Sequence, residues 1–351
     1  MTTLSPGDRL YKYELERKIG GGHFGEVWLA QDLVVSRQLA VKILDESMAP
    51  VAASLDEARL GNKLNHGNVV RIHYADVIAH AGGKLVVIAM DHHAKGSIQS
   101  LLNAGKFLNA PTAVAVVVDV LRGLEYLHEQ NFLHNDIKPS NILIGDDSRA
   151  LLTDYGISRV LGPSGSATST VAYTLHRAPE TTASDLTSVQ SDIYQVGMTL
   201  LRLVNGVETL EKRRAALGAV AFERLKSTGR LLEFALFVDA RLKRVIVKAT
   251  AAAPAKRFHS ALEMRRALER IRFKGYWDAD PSGDLFGIEG SNKFTFTVRS
   301  TGSNHEMQAY RENLKSRRKT KVSRHCHKGL SEAQLSVMQK KLMTDVIKGE
   351  L

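Results

Sequence analysis

The sequence predicts an α+β fold of two lobes, a small β-rich one and a larger helical one, followed by a C-terminal α/β extension. Three observations predict it. Between residues 11 and 90, short apolar stretches alternate with turn residues, which is the texture of strands. After Gly96, apolar residues recur at helical spacing. Beyond Gly275 the pattern changes again, to a turn, a strand and a capped helix. The expected boundaries are 11–273 for the two lobes, divided into 11–90 and 94–273, and 275–351 for the extension.

Within the small lobe, 26–30, 39–44, 69–74 and 85–90 read as strands. One amphipathic helix interrupts them over 54–64, where Leu55, Ala58, Leu60 and Leu64 stand among charges. In the large lobe the helical spacing covers 97–104, 112–129, 191–204, 242–251 and 260–272, and the lobe closes near Phe273. In the extension, Asp280-Pro281-Ser282-Gly283 is a turn signal. Phe294, Phe296 and Val298 alternate as in a half-buried strand over 293–299, and Ser331 with Gln334 caps a helix running to Ile347.

Composition narrows the classes. The chain has 351 residues, 44% of them hydrophobic, which is enough to build a core. No apolar run approaches the roughly 18–20 residues that span a bilayer. The longest candidate, 113–121, is short and is broken by Asp119. The N-terminus lacks a basic segment followed by an apolar one, so no secretory leader is expected. A single cysteine, Cys326, excludes an internal disulfide and fits a reducing compartment, so a cytoplasmic location is expected. The formal net charge is +11, and the run from Arg311 to Lys328 is dense in Lys and Arg, with Glu312 its only acid. Such a run suits nucleic acid, anionic lipid or an acidic protein face, or is simply a solvated surface. His325-Cys326-His327 offers three potential ligands side by side, whereas tetrahedral zinc sites join separated pairs, so no metal is expected there.

The chemistry is carried by motifs in a fixed order. Gly20-Gly21-Gly22-His23-Phe24-Gly25 opens between two strand patterns; glycines let backbone amides approach phosphates, and a hairpin can cover a nucleotide such as ATP. A dinucleotide-binding turn would need a helix directly afterwards, whereas 27–30 continues as strand. Lys42 follows within an apolar strand, where an ammonium is costly unless it meets carboxylate or phosphate. Glu57 on the amphipathic helix is its expected partner. In 133–143, Asp136 and Asn141 stand five residues apart between apolar segments, which suits phosphoryl transfer. Asp136 would accept a hydroxyl proton, Asn141 would help hold Mg²⁺, and Lys138 would neutralise the moving phosphoryl group. Asp154, between a strand and Tyr155-Gly156, is a second metal-binding candidate.

Taken together, these motifs resemble those of the eukaryotic-type (Hanks-type) Ser/Thr protein kinase family, over roughly residues 11–272. The resemblance implies a two-lobed protein kinase fold with ATP in the cleft and Mg²⁺ beside it. It implies a hinge from Asp91 to His93, Met90 as gatekeeper, and Val27, Ala40 and Leu143 packed on adenine. Lys138, two places after Asp136, implies Ser/Thr rather than Tyr specificity and therefore a protein substrate. Ala178-Pro179-Glu180 resembles the motif closing the activation segment, with Arg257 as partner of Glu180, and Asp192 resembles the buried anchor of the catalytic loop. Small-molecule kinases of the aminoglycoside and choline type share the aspartate–asparagine loop but are not expected to carry Ala178-Pro179-Glu180 with Arg257. A scaffold acting through its basic tail is the alternative, and retention of Lys42, Glu57, Asp136, Asn141 and Asp154 argues against it.

Several positions depart from the family. Asn135 replaces the arginine that usually precedes the catalytic aspartate and grips an activation-segment phosphate, so activity is expected to depend less on that phosphate. Tyr155 stands where phenylalanine is commoner. Gly61 stands where a large apolar side chain is usual, at a cost of about 1 kcal/mol in helix propensity. Ser164, Ser166, Thr168, Ser169 and Thr170 are candidate autophosphorylation sites, and Thr174 lies one place away from the usual spacing to Ala178.

Overall fold

The computed structural model describes residues 4–22, 25–45, 62–80, 83–102, 107–154, 159–160, 167–168, 175–184, 186–206 and 209–351. Strands β1 (Arg9–Leu10), β2 (Tyr13–Gly22), β3 (Gly25–Asp32), β4 (Arg37–Asp45), β5 (Ile72–His80) and β6 (Gly83–Met90) form one antiparallel sheet in the order β1-β2-β3-β4-β6-β5. Period-two alternation divides its side chains. Leu39, Val41, Ile43, Val87 and Ala89 join Tyr13, Leu15 and Trp28 in one core. Ala40, Leu44, Val86, Ile88 and Met90 turn the other way, onto the helical lobe. Lys42 shares the parity of Ala40, so the same alternation places it on that face of the sheet. The strand expected over 69–74 begins only at Ile72; Val69 instead bridges Leu152 in parallel, and Val70 N donates to Leu152 O at 2.8 Å. The helix expected over 54–64 falls outside the described residues except for its last three positions.

The helical lobe follows as α1 (Ile98–Leu102), α2 (Ala110–Glu129), β7 (Phe132–Leu133), β8 (Ile142–Ile144), β9 (Ala150–Leu152), β10 (Arg159–Val160), β11 (Ala167–Thr168), α3 (Pro179–Ser184), β12 (Leu186–Thr187), α4 (Val189–Asn205), α5 (Thr209–Leu217), α6 (Ala219–Ser227), α7 (Ala240–Ala249) and α8 (Ala261–Glu269). Helix α2 starts where Asn109 Oδ1 accepts from Thr112 N, and it buries Val117, Val120, Leu121, Leu124 and Leu127 along one stripe. Gly123 on that helix permits close approach: a Cβ there would lie 2.5 Å from Asn68 O. Helix α4 is buried almost throughout, from Ser191 to Val204. Helices α3, α5 and α6 are additions to the sequence reading.

Strands β13 (Gly275–Ala279), β14 (Leu285–Glu289), β15 (Asn292–Thr301), β16 (Asn304–Asn313), β17 (Lys319–Lys321) and β18 (His327–Leu330) form a second antiparallel sheet. The final helix α9 (Glu332–Lys348) packs on one face through Leu342, Met343 and Val346, against Trp277, Phe294, Met307 and Ala309. Ser331 and Gln334 cap it reciprocally. The expected strand over 293–299 and helix to Ile347 are present within β15 and α9. Phe237 stacks on Phe107 at 4.4 Å and also packs against this second core, while Asn109 Nδ2 donates to Asp278 Oδ2 at 2.8 Å. Cys326 Sγ donates to backbone oxygens, and His325 Nε2 lies 2.9 Å from Asp345 Oδ2. Among the described residues, no helix is long and apolar enough to cross a membrane.

Candidate active site

The glycine-rich motif lies where β2 turns into β3, with Gly20 opposite Val27, Gly21 opposite Glu26 and Gly22 opposite Gly25. Gly25 has φ +121°, and a Cβ there would meet Ile43 O at 2.1 Å, so only glycine fits. His23 and Phe24 lie outside the described residues. Under this hairpin, Ala40 pairs with Met90 across the sheet; Val27 and Leu143 pack against the core containing both. These four side chains therefore belong to one apolar cluster between the sheet and the helical lobe. At its rim, the Asp91 carboxylate is drawn to Arg37 and to His73 Nε2, while Asp91 N donates to Arg71 O. His93 follows two residues later; its Nε2 is buried without a hydrogen-bond partner among the described residues.

The catalytic-loop residues are fixed from behind by α4. Asp192, fully buried, accepts from His134 N at 2.9 Å and Asn135 N at 2.8 Å, and His128 Nε2 lies 2.9 Å from it. One turn on, Gln195 donates to Asn135 O and accepts from Ile137 N, both at 2.7 Å. The backbone is therefore tied on both sides of Asp136. His176 adds a third brace, with Nδ1 2.8 Å from Ile137 O. Burial, aided by Arg202, pushes the His176 imidazole down to about 3, so it is neutral and donates through Nδ1. His134 is likewise held below its usual value by burial, and its partners fix the tautomer: Nε2 faces Thr153 O, and Nδ1 accepts from Asp136 N.

Around the reacting position, Asp136 Oδ2 accepts from Lys138 Nζ at 2.7 Å and from Asn141 Nδ2 at 2.9 Å. Asp136 Oδ1 has no hydrogen-bond partner among the described residues. Asn141 Nδ2 also donates to Asp136 O, so the amide is oriented with its oxygen turned away from Asp136. Asp154 has φ +61° and accepts from Lys42 Nζ at 2.5 Å. Burial would raise its carboxyl, but Lys42, with His134 and Lys138, outweighs burial and holds it below the usual carboxylate range. The donor set suits Mg²⁺, a hard cation that takes few protein oxygens and leaves the rest to phosphate and water. Asn141 and Asp154 would hold it.

A model of the protein kinase domain matches residues 13–263. The chain belongs to the protein kinase family. It is 33% identical over 289 residues to the serine/threonine-protein kinase PknJ of Mycobacterium tuberculosis, covering 78% of this chain and 48% of that protein. It is 27% identical over 272 residues to the serine/threonine-protein kinase PknB of Mycobacterium leprae, covering 74% of this chain and 43% of that protein. The chain thus spans about half the length of the curated relatives it matches.

The family's supporting pair is present in this kinase domain. Arg257, with a fully buried side chain, donates to both oxygens of Glu180, at 2.6 and 2.7 Å, and lies 4.8 Å from the Tyr194 ring centroid. Asn135 adopts φ +66°, a conformation that asparagine tolerates, and among the described residues neither the Oδ1 nor the Nδ2 of its buried amide has a partner. Glu57, Gly61, Tyr155, Ser164, Ser166, Ser169, Thr170 and Thr174 lie outside the described residues; Thr168 is placed only by the pairing of β11 with β12. Sequence reading missed Gln195 and His176, whose roles depend on approach in space.

Proposed function

We propose that the protein transfers the γ-phosphoryl group of ATP, as its Mg²⁺ complex, to Ser and Thr hydroxyls of protein substrates, its own activation segment included. The observation that carries this reading is the state of Asp136: backbone locked on both sides, one carboxylate oxygen occupied by Lys138 and Asn141, the other without a partner among the described residues. That oxygen accepts the proton of the attacking hydroxyl, and Lys138 offsets charge on the phosphoryl group in transit. Lys42 binds the phosphates beside Asp154, Gly20 to Gly25 cover them, and Val27, Ala40, Met90 and Leu143 hold adenine against the backbone of Asp91 to His93. Mg²⁺ supplies charge neutralisation across the phosphates when bound. A cytoplasmic location fits the single cysteine.

The test is mass spectrometry of the protein and a generic basic substrate after incubation with Mg-ATP. Phosphate on Ser or Thr, with Ser164, Ser166, Thr168, Ser169 and Thr170 among the sites, is expected. Phosphate confined to Tyr, or transfer only to small alcohols, would overturn the assignment.

A further inference from the structure

Residues 292–330 hold ten Lys and Arg against two Glu, and so account for a net +8 of the chain's +11. Alternation along the second sheet divides these charges between its two faces. Helix α9 covers the face bearing Phe294, Met307 and Ala309. By alternation and register the opposite face carries Lys293 and Arg299 on β15, Tyr310 on β16, and Lys319 and Lys321 on β17, together with Glu306 and Glu312 of β16; Tyr310 pairs with Lys321, and Glu312 lies between Lys293 and Lys319. On this face Lys319 Nζ stands 4.7 Å from the Tyr310 ring centroid, and Lys293 Nζ stands 4.2 Å from that of Phe286 on β14.

Four cations against Glu306 and Glu312 leave this face a net +2, and among the described residues no ion pair within 292–330 is shorter than 3.6 Å. Arg317, Arg324 and Lys328 reach acids only at 3.6–3.9 Å and from exposed positions. Among the described residues, Lys315, Arg318, Lys319 and Lys321 make no ion pair. Clustered cations repel one another, and a polyanion relieves that repulsion while releasing its own counterions. The rings choose among polyanions. Half-buried aromatic faces beside lysines give bases a surface to stack on, which an acidic protein segment has no chemical use for and a closed duplex cannot reach.

We propose that the α9-free face of the C-terminal sheet, around Tyr310, Lys319 and Lys321, binds single-stranded nucleic acid. Phe237, which packs against the cores of both the helical lobe and this sheet, and the Asn109–Asp278 hydrogen bond fix the sheet to the helical lobe, so a bound strand is held beside the catalytic domain.

Fluorescence anisotropy of the full chain with a labelled, mixed-sequence single strand of about 20 nucleotides tests this, in DNA and RNA forms, because such surfaces cover roughly 4–16 nucleotides. Binding should weaken with salt, and Lys319→Ala with Lys321→Ala should reduce the log–log salt slope by about 1.4. Tyr310→Ala should weaken binding about tenfold and Tyr310→Phe should restore it, since stacking needs the ring and not the hydroxyl. The thermal melt of each variant checks folding; if Tyr310→Ala melts early, the lysine variant alone decides. An unchanged salt slope, equal affinity for duplex, or equal affinity for a polyglutamate peptide would overturn the proposal.

Discussion

The catalytic loop and the basic face of the C-terminal sheet handle charge in opposite ways. Around Asp136 most polar groups are buried and paired: Asp192 and Gln195 fix the backbone, and His176 and His134 are kept neutral. On β17 the lysines are exposed and make no ion pair among the described residues. Buried, paired charge gives fixed positions, as a reaction with one productive geometry requires. Exposed, unpaired charge gives reach without fixed geometry, which suits a flexible polyanion. Mutations should therefore act differently in the two regions, on stability and rate in the first and on salt-dependent binding in the second.

The largest effect on stability should come from Glu180→Ala. It leaves the buried Arg257 guanidinium without its carboxylate, and breaking a buried pair in this way costs about 3–5 kcal/mol. Urea denaturation of variant and parent measures it, and a loss under about 1 kcal/mol would contradict the picture of a charge that depends on its partner. Asp192→Asn should cost about 2–3 kcal/mol, because an amide NH2 must then face one of the N–H donors of His134 and Asn135. A wild-type midpoint with unchanged phosphotransfer would show that the loop holds itself.

The neutral histidines give a pH signature. His176 is driven from the ordinary 6.5 to about 3 in the folded protein, so below about pH 6.5 the unfolded chain binds the proton first. Its contribution to stability is complete above that value and is lost as pH falls toward about 3, at up to about 1.4 kcal/mol per pH unit. His176→Asn, which keeps a donor near the Nδ1 position, should flatten the decline in unfolding free energy between about pH 6.5 and pH 5 relative to the parent. Parallel curves would remove His176 from the account. The smallest effect is expected at Asn135, whose neutral amide offers no cation to an activation-segment phosphate. Phosphatase-treated protein should keep its rate to within about threefold, and a near-complete loss that rephosphorylation restores would count against this.

The sequence was most legible where chemistry restricts the residue type. Lys42, Asp136, Asn141 and Asp154 could be named as candidates from the chemistry that phosphates and Mg²⁺ ask for, and the structure brings Lys42 to Asp154 and Asn141 to Asp136; Glu180, Asp192 and Arg257 were named by resemblance. Gln195 and His176 could not be named, because an amide on a buried helix and a histidine before Arg177 carry no local mark; their roles arise when α4 and residue 176 close on Ile137. Helices α5 and α6 went unread because neither has an apolar stripe: Thr209–Leu217 buries only Leu210, and Ala219–Ser227 only Phe222 and Lys226. Most strands of the second sheet were missed for a related reason. Lys319–Lys321 is too short and polar to show alternation, and its place is set by pairing with β16.

The most direct measurement is the single-turnover rate of phosphoryl transfer from Mg-ATP for Asp136→Asn beside the parent, with ATP affinity determined separately. The rate should fall by a factor of about 10²–10⁴ while affinity stays within about threefold, because in the proposed reaction Asp136 takes a proton and does not hold the nucleotide. A variant that transfers phosphate at the parental rate would contradict the assignment of Asp136 as the base.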